Sequence, residues 1–159
     1  MIVYGKERDY IVHDDNNIKG LFGKYRWMSN FHECHVCFDN MMYTSTENAY
    51  QSAKCKNVNE RILFLGLTPF KAMKLGREGV EVRDDWEQVK YDTMACIVFD
   101  KFYRDKELRS LLLDTGNKYI EETNHWGDVY WGVCDGVGKN NMGKILMRVR
   151  DFWKNKDII

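Results

Sequence analysis

The 159-residue chain is 44% hydrophobic and 14% aromatic, enough to bury one sizeable core and short for two domains, so a single domain over residues 1–159 is expected. Its 24 Lys and Arg balance 24 Asp and Glu, which excludes the general basic field behind strong non-specific binding to nucleic acid. No apolar run approaches the roughly 20 residues needed to span a bilayer, "MIVYGKERDYIVHDD" has no long apolar leader core, and five irregularly spaced cysteines do not form a secreted disulfide framework, so a cytoplasmic protein without membrane contact is expected.

In chain order, "ECHVCF" and "MMYT" around Asp39-Asn40 predict a short hairpin near the N-terminus, since both turn residues tolerate positive φ. His32, Cys34, His35 and Cys37 are all zinc-binding types, but on a strand 32 and 34 face one side while 35 and 37 face the other. No second Cys/His pair completes either half, and no metal is expected.

A helix is predicted from Thr44. Thr44 and Glu47 fit a capping box, in which Glu47 reaches back to the first amide. Residues 47, 50, 51 and 54 also share one helical face, which sets Glu47 beside Tyr50, Gln51 and Lys54. Glu47 is thus either a cap or a chemical carboxylate.

Thr68-Pro69 starts the next helix, with Gly76 read as its stop. Asp84 or Asp85 caps another, carrying Trp86, Val89, Ile97 and Phe102 at helical spacing, and "LLLDTGN" ends at Gly116. The last helix is predicted from Met142 to Trp153, with Ile145, Leu146, Val149 and Trp153 on one face and "KNKDII" frayed. The class expected is mainly α with a small β element (α+β).

The loop "GVCDGVGKNNMG" ends in neither Gly-Lys-Ser/Thr nor a dinucleotide-binding context, and no cofactor is expected. Cys134 with His125 suggests a nucleophile and base but lacks a third, orienting group. Asp128 lies next to Tyr130 and Trp131 and to loop amides able to receive an anion. Two carboxylates, aromatic walls and an anion cradle suit glycosidic cleavage, where the ribosyl cation needs a carboxylate and the leaving base needs assistance. Nothing in that chemistry requires a metal.

The ordered set "SNF", "STENAYQSAK", "LGR", "WEQVKYDTM", "KF", "LLLDTG", "DVYWG", "GVGKNNMG" and "LMRVR" resembles the YbiA-like or NADAR domains over about residues 20–150. The resemblance implies a compact, mostly helical domain that hydrolyses the bond between C1′ of a phosphorylated ribose and an amine or base nitrogen. One branch acts on phosphoribosylamino-pyrimidine intermediates of riboflavin biosynthesis, and is favoured here. Another removes ADP-ribose from guanine bases or nucleotides. A third reading, outside catalysis, is a module that senses NAD or ADP-ribose.

Carried over by the resemblance, Glu47 and Asp128 are the catalytic carboxylates, and Tyr50 and Trp131 line the substrate pocket. Lys54, Arg77 and Lys139 hold phosphate or substrate, or else are solvated surface cations. Asn30 and Asn140 bond ribose hydroxyls or the base. Trp86 is read as a core residue, and Lys101 and Phe102 as structural. The chain departs from the family at Asn48, where members often carry His, in its longer 121–128 segment, and at Cys134. These changes bear on substrate preference more than on reaction type. The implied partner is a small phosphorylated ribosyl compound or an ADP-ribosylated nucleotide, and the oligomeric state stays open.

Overall fold

A computed structural model describes residues 10–156. The readings placed on residues 1–9 and 157–159 lie outside the described residues. The chain resolves into two compact units, Asn30–Glu107 and the pair Met1–Ser29 with Leu108–Ile159. The architecture is mainly helical with small sheets, the α+β class expected from the sequence. Among the described residues no helix is long and apolar enough to cross a membrane.

In the unit Asn30–Glu107, strands β3 (Glu33–Phe38) and β4 (Met41–Ser45) form the predicted hairpin. Asp39 and Asn40 turn it with φ of 50° and 62°, the pair of positive angles that a tight hairpin turn demands. Buried Arg61, in a 3-10 segment over Val58–Phe64, pairs with Asp39 and so ties down the turn.

Helix α1 (Thr46–Ala53) follows β4 directly and is buried along its whole length. It packs against the hairpin, α2 (Pro69–Glu78) and α3 (Trp86–Arg104). Ala49, Ala53, Phe64, Ala72, Met94 and Ile97 fill the space among them.

Gly76 does not stop α2, which runs on to Glu78 and is capped by Gly79. Its role is close approach: a Cβ there would lie 2.0 Å from Oε1 of Gln51. The predicted helix ending in "TGN" is broken at Asp105, which separates α3 from α4 (Lys106–Asp114).

In the other unit, β1 (Val12–His13), β2 (Asn17–Lys19) and β5 (Tyr119–Glu121) form a three-stranded sheet that sequence reading missed. Strands β6 (Thr123–Asn124) and β7 (Val133–Cys134) pair in parallel across the loop between them. Helix α5 (Asn141–Lys156) outruns the predicted Trp153, so residues 154–156 are helical rather than frayed. It buries Ile145, Leu146, Val149 and Trp153 on one face, as predicted. Gly143 lets α5 lie against β5, since a Cβ would meet the Ile120 carbonyl at 2.2 Å.

Candidate active site

The capping of α1 departs from the sequence reading, and the departure releases Glu47. Ser45, not Thr44, is the N-cap: its hydroxyl accepts the Asn48 amide at 3.0 Å. Asn48 is fully buried, bonded through Oδ1 to the Ser45 hydroxyl, and its Nδ2 donates to the carbonyls of Phe64 and Leu67. The pair therefore does the work assigned to a Thr44-Glu47 box. Asn48, a point of departure from the family pattern, serves here as a brace inside the fold.

Glu47 is 7% exposed, and its Oε1 accepts a hydrogen bond from Gln51 Nε2 at 2.7 Å. Burial pushes its carboxyl above the usual carboxylate range, against the opposing pull of the Gln51 hydrogen bond and the charges of Lys54 and Arg77. The ammonium of Lys54 is lowered by burial, and further by the nearby charges of Arg77 and Lys90, while Glu47 works to raise it. A buried acid thus feels two cations, Lys54 and Arg77, whose charges also act against each other. Such crowding is relieved by an incoming anion.

Aromatic rings close this patch. Lys54 Nζ lies 5.5 Å from the Tyr50 ring centre, and Tyr50 packs against Trp86 with ring centres 5.1 Å apart. Trp86 is buried in the core, as read from the sequence, and packs there beside the candidate site through Tyr50. Asn30 joins through its carbonyl, which accepts the Glu47 amide at 3.0 Å. Its Nδ2 donates to the Met94 sulfur at 3.6 Å. Its Oδ1, like Oε1 of Gln51, is buried with no hydrogen-bond partner among the described residues. Two buried acceptors left open beside one carboxylate mark a place where polar groups are kept for something outside the chain. Arg77 is exposed and takes part through its charge.

The second group of predicted residues lies in the loop between β6 and α5, and most of it is engaged in holding the loop. Asp128 Oδ1 accepts the amides of Tyr130 and Trp131 at 3.1 and 2.9 Å. Asn124 and Asp128 clasp each other: Asn124 Oδ1 accepts the Asp128 amide, and Asn124 Nδ2 donates to the Asp128 carbonyl. Asn140, read as a ligand contact, uses its amide group on Tyr119, Ile120 and Glu122 instead. It is 3% exposed and fastens the loop to β5.

The amides expected to cradle an anion are also largely occupied. Those of 134, 137, 139, 140, 141 and 142 all donate to loop carbonyls. Trp131 meets Tyr130 edge to face, with ring centres 4.8 Å apart, and exposed Lys139 places Nζ 5.4 Å from the Tyr130 ring centre. Among the described residues no three His, Cys, Asp or Glu side chains are grouped as metal ligands.

A model of the NADAR domain matches residues 15–153. This chain belongs to the NADAR family. It is 33% identical over 132 residues to the N-glycosidase YbiA of Escherichia coli, an alignment covering 80% of this chain and 81% of that one. An N-glycosidase of Nostoc punctiforme is 31% identical over 137 residues, with 82% and 87% covered. A riboflavin biosynthesis protein of Vibrio vulnificus is 33% identical over 129 residues, 79% of this chain, which spans only 35% of that relative's length. The NMR structure of E. coli YbiA matches with a TM-score of 0.79 at 29% identity, covering 96% of this chain and 93% of that one.

Within this NADAR domain, sequence reading found the face that carries Glu47, Tyr50, Gln51 and Lys54 but not what flanks it. The i, i+4 spacing of Glu47 and Gln51 is a legible signal for their hydrogen bond. Trp86 and Gly76 give no such signal, because their importance arises from helix packing across 25 residues or more of chain.

Proposed function

We propose that this NADAR domain is an N-glycosidase that hydrolyses the C1′–N bond of a phosphorylated ribosylamine, with phosphoribosylamino-pyrimidine intermediates of riboflavin biosynthesis as its substrates. The observation that carries the reading is Glu47: a carboxylate relieved of capping, buried, oriented by Gln51 and flanked by Lys54 and Arg77. Relatives named as N-glycosidases and as riboflavin biosynthesis proteins support the same class.

In the proposed reaction the C1′–N bond breaks, its electron pair leaves with the nitrogen, which gains a proton to depart as the neutral amine, balancing the proton that the attacking water gives up, and positive charge develops on the ribosyl ring. Glu47 stabilises that charge and takes a proton from the water that attacks C1′. Its raised affinity for protons makes it a stronger base than an ordinary glutamate. Lys54 and Arg77 hold the phosphate, Tyr50 packs on the sugar, and the open acceptor of Asn30 receives a ribose hydroxyl. The family resemblance further assigns Asp128 the role of a second carboxylate, and Trp131 and Lys139 roles as substrate contacts. No step as written calls for a metal.

The test is mass spectrometry on purified protein, with EDTA present, offered phosphoribosylamino-pyrimidine, ADP-ribosyl-guanosine and NAD in parallel. Release of ribose phosphate with the free pyrimidine is expected, and Glu47→Gln should abolish it. Release of ADP-ribose from guanosine would replace the substrate assignment. Binding of ADP-ribose with no turnover of any compound would overturn the enzymatic reading in favour of a sensor.

A further inference from the structure

Gly76 lies inside α2 with ordinary helical backbone, so neither a turn nor a positive φ calls for glycine there, and glycine within a helix weakens it relative to alanine. What it provides is room for one side chain of α1. A Cβ at 76 would lie 2.0 Å from Oε1, 2.8 Å from Cδ and 3.0 Å from Cβ of Gln51, so the Gln51 amide is seated against Gly76. The other end of that amide meets Glu47, where Nε2 donates to Oε1 of the carboxyl at 2.7 Å. Gln51 is 4% exposed, and all three residues belong to the unit Asn30–Glu107.

An amide can face a carboxyl in two ways. With its N–H forward it donates and favours the ionised carboxylate, and with its C=O forward it accepts and requires a protonated carboxyl. The structure shows the first, which leaves Oε1 of Gln51 buried with no hydrogen-bond partner among the described residues. Asn48, by contrast, spends both ends of its amide on the fold. Burial favours a protonated Glu47, and the Gln51 hydrogen bond is the largest influence against it, ahead of the charges of Lys54 on α1 and Arg77 on α2. Of the other elements packed against α1, α3 brings Lys90 and Glu87, which act on Lys54, and Asp39 of the hairpin is paired with Arg61 of the 3-10 segment.

We infer that Gln51 is a positioning residue for the proposed reaction and that Gly76 is its seat: α2 gives up a side chain at 76 so that the Gln51 amide presents its N–H to Glu47 and holds the carboxyl in the ionised form that can take a proton from water. The inference rests on the N-glycosidase reading and adds to it a control of the base from a second helix. Gln51 acts through Glu47 alone, and Gly76 acts through Gln51.

The test reads Glu47 directly. Carbon NMR of the side-chain carboxyls, with Glu47→Gln to assign the signal, follows the Glu47 titration in the parent, Gln51→Met and Gly76→Ala proteins, each checked for a cooperative melting transition. In both variants the midpoint should move up by about one pH unit, the scale set by a hydrogen bond to a charged group. The acidic limb of kcat/KM for the phosphoribosylated substrate should move with it. In the Gln51→Ala background, where the space is clear, Gly76→Ala should fold and add no further shift. Should Gly76→Ala not fold alone, its rescue by Gln51→Ala reads the seat, and failure of that rescue would overturn it. Equal midpoints in parent and Gln51→Met would overturn the positioning role, and a Gly76→Ala shift that persists in full without Gln51 would overturn the seat. Raised midpoints in a protein that turns over none of the offered compounds would leave the hold on Glu47 standing and overturn the glycosidase reading instead.

Discussion

On α1, Ser45 and Asn48 do the capping and bracing, Gly76 gives way to Gln51, and the carboxylate of Glu47 is left facing a hydrogen-bond donor and two nearby positive charges. In the loop from Asn124 to Asn140 the polar side chains are turned inward: Asp128 caps its own turn, Asn124 clasps Asp128, and Asn140 fastens the whole to β5. Two stretches that look equally polar in sequence are therefore used differently. One leaves a buried carboxylate clear of capping duty, and the other uses most of its polar atoms as support. The difference teaches that an acidic residue in a family motif becomes a reaction candidate only after its structural duties are counted.

The largest effect that would sharpen this contrast is expected at Glu47. Glu47→Gln keeps the shape and removes the base, and the turnover number should fall by about 10²–10⁴-fold, with a cooperative melting transition retained. Unfolding of the variant with full activity per folded molecule would make Glu47 structural and erase the contrast.

Next in size is Gly76→Ala, whose added methyl meets Gln51 and should cost roughly 1–3 kcal/mol by overpacking, read from urea unfolding. Asp128→Ala removes the acceptor of two amides and should cost about 0.5–2 kcal/mol, as loss of a cap does. Asp128→Asn keeps that acceptor and should restore the stability. If Asp128→Asn is also as active as the parent protein, the loop carboxylate is a brace alone.

The smallest effect is a slope with pH. The folded-state pKa of Glu47 lies above its unfolded value, so its stabilising contribution is full below the unfolded pKa and is lost as pH rises through the folded one. Unfolding free energies measured across that window should fall more steeply for the parent than for Glu47→Gln. Parallel profiles would mean that the site holds the charge without penalty.

Features set by neighbouring residues were legible in the sequence. The Asp39-Asn40 turn, the Pro69 helix start and the apolar face of α5 all follow from spacing or from backbone preference, and the structure bears them out. Cap assignment was harder, because Thr44, Ser45 and Thr46 stand in a row and only the backbone geometry picks Ser45. Gly76 read as a stop because glycine usually ends helices, whereas here it yields space to a distant side chain. Strands of two or three residues, such as those that join Asn17–Lys19 to Tyr119–Glu121, are too short to show any periodicity. Asn30 and Asn140 read alike in sequence, but Asn140 is used by the fold while Asn30 keeps an open acceptor.

The clasp between Asn124 and Asp128 closes its turn without drawing on the side chains at 125 and 126. The frame of the turn is thus independent of what those two side chains touch. An exchange at either position should leave the turn closed, because the bonds that close it belong to the residues at its two ends.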